Sequence, residues 1–187
     1  MRYQIMRFGK KKRISLIHLS KPLSNGFAGM VCSPLLADRI AIVVDPLEKE
    51  RTEYDFACLA FGENGAFPRI MMTKEVYYDI KRGEPYARMI LLHELGHYDR
   101  QDHLIPKADC DEERARLVSG GLVSEAELAA DFFAAAYLGA EVVAVGLQQL
   151  WEKIACKYNE CDEEEAELAR KELALRRMTI LKGNDTK

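Results

Sequence analysis

Three of the four histidines in this chain, His93, His97 and His103, fall close together, and an acid stands next to the first. The run His93-Glu94-Leu95-Gly96-His97 lies in a stretch that reads as helix. Residues four apart on a helix project from one face, about 6 Å apart along the axis. Two imidazoles so placed can share one zinc ion. Glu94, about 100° round the helix from His93, is badly set to be a third ligand but well set to take a proton from water at an open coordination position. The apolar residues Met89 to Leu92 predict that this helix is buried, and Gly96 lets another segment pack closely on it. The plain alternative is a core or surface histidine pair arising by chance. With four histidines in 187 residues, composition makes that placement rare.

Two candidates compete for the third ligand. Glu127-Leu128-Ala129-Ala130-Asp131 puts two acids one turn apart on the next helical stretch. Glu127 there can ligate, while Asp131 can accept the other ring N–H of a ligating histidine, most naturally His93. The competing reading of Glu127, a capping box with Ser124, does not explain a carboxylate at Asp131 on an otherwise apolar face. His103 offers the alternative spacing HExxHxxxxxH, in which the chain turns sharply after the second histidine. That turn normally uses glycine where this chain has Arg100. If the helix simply continued, His103 would lie about 280° round from His93 and about 15 Å away.

The elements that must position these groups divide the chain in two. Arg2 to Phe8 and Arg13 to Leu19 read as a hairpin around Gly9 to Lys12, and Arg39 to Val44 as a strand. Tyr54 to Phe61 and Phe67 to Thr73 read as a second hairpin around Gly62 to Gly65. Pro22 to Ala37, with Asn25-Gly26 and Pro34, reads as loop. Lys74 to Lys81 is a short helix ended by Gly83, and Pro85 opens the helix that carries the histidines. After a polar linker, Asp99 to Gly121, with a turn of helix of its own, come helices at Ser124 to Leu138, Glu141 to Tyr158 and Asp162 to Leu181. The expectation is one α+β domain over residues 1–187. A mostly antiparallel sheet in 1–73 packs on a helical part, 74–158, and the C-terminal helix, 159–187, is peripheral.

Together, His93-Glu94-Leu95-Gly96-His97 and Glu127-x-x-Ala130-Asp131-x-Phe133-Ala134 resemble the gluzincin class of zinc metallopeptidases. Within it they are most similar to the ImmA/IrrE-like and related minimal gluzincins, over a stretch running from about Phe67 to Ala140. The resemblance implies a zincin-like fold, Zn2+ as cofactor and hydrolysis of a protein or peptide, by endopeptidase more than exopeptidase action. It also implies that substrate lies along an edge strand, for which Arg69, Ile70, Met71 and Met72 are the natural candidate. The long stretch from Tyr98 to Val123 and the lack of a helix-turn-helix-like segment depart from the family's regulatory setting. An inactive zinc-binding scaffold that recognises a partner protein is the alternative.

Composition bounds the rest. Hydrophobic residues at 48% and charged residues at 30% match a globular chain and exclude disorder. Charges interrupt every apolar run, so no membrane span is expected, and the start carries no signal-peptide h-region. A cytoplasmic location follows as the expectation. A net charge of −3 argues against nucleic acid as a partner, and Lys10-Lys11-Lys12-Arg13 reads as a solvated turn. Five cysteines without a CxxC pair read as reduced thiols rather than disulfides.

Overall fold

The computed structural model describes residues 4–7, 16–32, 39–44, 56–60, 68–100, 110–157 and 163–184. It is α+β, and the chain divides into two units, Met1–Ala87 and Arg88–Lys187. The expected turns at Gly9 to Lys12 and Gly62 to Gly65, the basic run from Lys10 and the alternative ligand His103 lie outside the described residues.

Among its described residues the first unit carries six strands: β1 (Gln4–Arg7), β2 (Leu16–Leu19), β3 (Phe27–Cys32), β4 (Ile40–Val44), β5 (Ala57–Ala60) and β6 (Arg69–Met72). They form one sheet in the order β1-β2-β3-β4-β6-β5. All pairs are antiparallel except β4 and β6, which run parallel with Ile42 opposite Ile70. Side chains alternate along a strand, and Ile17, Leu19, Ile40, Ile42, Val44, Ile70 and Met72 are buried.

Two expectations fail in this sheet. The segment Pro22 to Ala37 is not all loop, because it holds β3. Among the described residues of that segment the turn falls at Ser24-Asn25, where the Asn25 side chain accepts from the Phe27 N–H at 3.1 Å, and Gly26 after it takes φ 81°. Gly29 is a strand residue. A Cβ there would run into the His18 carbonyl oxygen, so glycine marks a close backbone approach at an irregular register. Nor is Arg69 to Met72 an edge strand. Both of its ladders are taken, by β4 on one side and by β5 on the other, with Cys58 opposite Met71. Among the described strands, β5 is the outer one on that side.

Helix α1 (Lys74–Arg82) begins at Thr73, whose hydroxyl accepts from Val76 N–H, and ends at Gly83 with φ 89°, a left-handed cap that glycine adopts at little cost. Its Tyr77 is fully buried, and its hydroxyl donates to the backbone carbonyl of Ser20 and lies 3.1 Å from that of Ala28. This fastens the helix to the β2–β3 end of the sheet. Buried Asp79 accepts from Arg82 and from the Tyr86 hydroxyl.

Helix α2 (Pro85–Arg100) crosses the division at Ala87, and the second unit adds α3 (Cys110–Ser119), α4 (Glu125–Leu138), α5 (Ala140–Lys157) and α6 (Glu163–Asn184). Met89 through His93 are buried without a break, so the predicted burial of the histidine helix holds. Helix α6 is not peripheral. It packs on α5, α4 and α3, it buries Ala166, Glu172, Leu173, Arg176 and Ile180, and Glu165 and Glu172 receive Arg114 of α3 at 2.6 and 2.7 Å. No helix among the described residues is long and apolar enough to cross a membrane.

Candidate metal centre

One close helix crossing builds the site. A Cβ on Gly96 would lie 2.8 Å from the Ala130 Cα and 3.1 Å from the Ala130 carbonyl oxygen, so α2 and α4 touch at that point through the missing side chain. Glycine inside a helix costs roughly 0.5–1 kcal/mol relative to alanine, and here the cost admits the neighbouring backbone. His93 and His97 stand three before and one after Gly96. Glu127 and Asp131 stand at the same offsets from Ala130. The crossing therefore sets two imidazoles against two carboxylates.

The donor atoms converge. His93 Nε2 and His97 Nε2 are 3.0 Å apart, Glu127 Oε2 is 3.2 Å from His93 Nε2, and Glu127 Oε1 is 3.4 Å from His97 Nε2. Such spacings suit atoms that share an ion at about 2 Å from each. His93, His97 and Glu127 form a group that could hold a metal ion. Asp131 lies behind them, fully buried, with Oδ1 at 2.9 Å from His93 Nδ1. That bond fixes a proton on Nδ1 and turns Nε2 toward the centre, where a metal would take the place of the Nε2 proton.

The capping alternative for Glu127 is not realised, since Ser124 is the N-cap of α4 but its side chain makes no capping bond. Glu94 is half-buried on α2 beside His93 and is not one of the three converging groups. Tyr137 stacks on Phe133 at 5.0 Å, as a packing tyrosine does.

Sequence reasoning missed Arg176, expecting the C-terminal helix to be peripheral, a solvated or partner-facing amphipath. Its guanidinium is buried and forks onto Asp131, Nε to Oδ2 and Nη2 to Oδ1, both at 2.7 Å. Its Nη1 reaches Glu127 Oε2 at 2.9 Å. A signal was present: Arg176 sits three after Leu173 and four before Ile180, on the stripe that α6 buries. A cation there requires a partner.

The charges reinforce one another. Burial works to raise the Glu127 and Asp131 carboxyls and is overridden by His93 and Arg176. Glu127 is held well below the usual carboxylate range, and Asp131 is held down at about 2. Burial likewise opposes charge on His93, but Glu127, aided by the Asp131 hydrogen bond, lifts it to about 10. Both carboxylates are thus ionised at neutral pH, and Glu127 is ready to donate to a cation.

No family model, curated protein or solved structure matches the chain. The site rests on its own geometry.

Proposed function

We propose that this protein is a zinc-dependent metallopeptidase of the gluzincin kind that its motifs resemble, cutting within a protein or peptide chain. The observation that carries the reading is the convergence of His93 Nε2, His97 Nε2 and the Glu127 carboxylate, with Asp131 on the far nitrogen of His93. Two imidazoles and one carboxylate suit zinc better than calcium or magnesium, which prefer all-oxygen ligation. Three protein ligands also leave a tetrahedral ion one position for the reaction. When bound there, zinc supplies Lewis acidity toward water and a peptide carbonyl.

The chain's own residues supply the rest. Glu94, adjoining His93 on α2, takes a proton from the attacking water and passes it to the departing amine. Asp131 and Arg176 hold His93 and Glu127 in place, so little reorganisation remains for the reaction itself.

Metal analysis of the purified protein, combined with cleavage of casein or a peptide library, tests the reading. One zinc per chain is expected in the wild type and in His103→Ala, and none in Glu127→Ala. Cleavage is stopped by a chelator and restored by zinc. Glu94→Gln keeps the metal and loses turnover by about 10²- to 10⁴-fold. Undiminished cleavage in Glu94→Gln rejects that residue as the base. Zinc retained by a wild type that cuts nothing assigns the chain instead to the non-cleaving scaffolds.

A further inference from the structure

We propose that Arg176, from the C-terminal helix, is a positioning residue that makes Glu127 a one-oxygen ligand and so keeps a coordination position open. The inference rests on the metal reading above and adds to it a residue eighty-three positions beyond His93. The guanidinium is a planar fork with five N–H donors. Two of its nitrogens are spent on Asp131, at 2.7 Å each, and this bidentate grip fixes the plane of the fork. The third nitrogen, Nη1, then meets Glu127 Oε2 at 2.9 Å. Oε2 also lies 3.2 Å from His93 Nε2, so Arg176 competes with an ion for that oxygen, while the other oxygen, Oε1, faces His97 Nε2 at 3.4 Å.

A carboxylate can ligate through one oxygen or both, and a second bound oxygen occupies the corner that water or substrate needs. Tying Oε2 to a buried cation leaves Oε1 as the donor. Arg176 Nη2 also lies 3.2 Å from His93 Nδ1. Those two nitrogens are both donors converging on Asp131 Oδ1, so one carboxylate oxygen registers the histidine and the arginine together. Lysine could supply the charge but not the geometry, because a single ammonium cannot grip Asp131 at two oxygens and reach Glu127 at once.

Cobalt(II) alone is the probe, titrated into the full-length wild type, Arg176→Lys and Arg176→Met, with visible absorption recorded alongside circular dichroism. Four-coordinate cobalt absorbs far more strongly than five-coordinate cobalt. The expected result is an intense wild-type spectrum at one ion per chain. Both variants should show a loss of intensity at unchanged stoichiometry as the second Glu127 oxygen enters. Arg176→Lys retains the charge opposite Asp131, so it decides the matter if Arg176→Met does not fold. Should neither fold, a crystal structure of the zinc-loaded wild type decides: Oε1 on the metal with Oε2 on Arg176 supports the assignment, and both oxygens on the metal overturns it. Identical cobalt spectra in wild type and a folded variant overturn the role of Arg176 and leave the metal centre standing. Failure of the wild type to take up cobalt overturns the metal reading, and this inference with it.

Discussion

Asp131 does the most with one side chain. It has no exposed surface, yet it accepts from His93 at 2.9 Å and from Arg176 at 2.7 Å on each oxygen. An unpaired carboxylate in that position would be expelled or neutralised, so the residue explains its neighbours as much as they explain it. Asp131→Asn keeps the shape and removes the charge. Its zinc affinity is expected to fall about 10- to 100-fold, the usual effect of losing the partner behind a ligating histidine. Competition against a chromophoric chelator measures this, and an unchanged affinity would mean that something other than Asp131 orients His93.

At the scale of elements, the α2–α4 crossing is the device that brings His93, His97 and Glu127 together. Gly96→Ala would drive a methyl group to 2.8 Å from the Ala130 Cα. Backbone cannot swing aside as a flexible side chain can, so the helices must part. A destabilisation of roughly 1–3 kcal/mol is expected, as for other overpacked sites. Zinc affinity should fall with it, because His93 and His97 are on one helix and Glu127 is on the other. Gly83→Ala is the control. It lies at φ 89° with open space around it, and the left-handed backbone should cost about 1–2 kcal/mol with metal binding untouched. Thermal melts and zinc titrations of the two variants separate the cases. Equal zinc affinity in Gly96→Ala and wild type would detach the crossing from the site.

For the molecule as a whole, stability against base is legible in the first unit. Burial, with Tyr78 beside it, pushes the Tyr77 hydroxyl from its ordinary value of 10 to about 12. Tyr86 is raised too, by burial and by its bond to Asp79. Folding therefore favours the neutral hydroxyl. The stability contributed by Tyr77 is fully present below pH 10 and is lost as pH rises through about 12. Tyr77→Phe gives up a buried hydrogen bond worth about 1 kcal/mol at neutral pH. Its denaturation midpoint should then decline less steeply than the wild type's through that alkaline range, with the remaining slope left to Tyr86 and other groups. Urea titrations across the range read this directly, and parallel curves would show that Tyr77 is as free to ionise when folded as when unfolded.

The sequence by itself determined the α+β class, the pairing of β1 with β2, the pairing of β5 with β6, and the helices that carry the motifs. It also paired His93 with His97, because four-residue spacing on one helix is a local property that needs no knowledge of the rest of the chain, but it left Glu127 and His103 as rivals for the third place. Asp131 was legible for a similar reason, as a charge on an apolar face that required a partner. Tertiary structure decided what depends on which surfaces meet. It took β6 from the edge to the interior, since alternation tells a strand's two faces apart but does not name its neighbours. It turned Gly29 from one residue of an expected loop into a point of backbone contact within a strand. It also brought Arg176 from a distant helix onto Asp131 and Glu127, because an ion pair between remote segments leaves no spacing in the sequence to read and forms only when packing has buried both charges side by side.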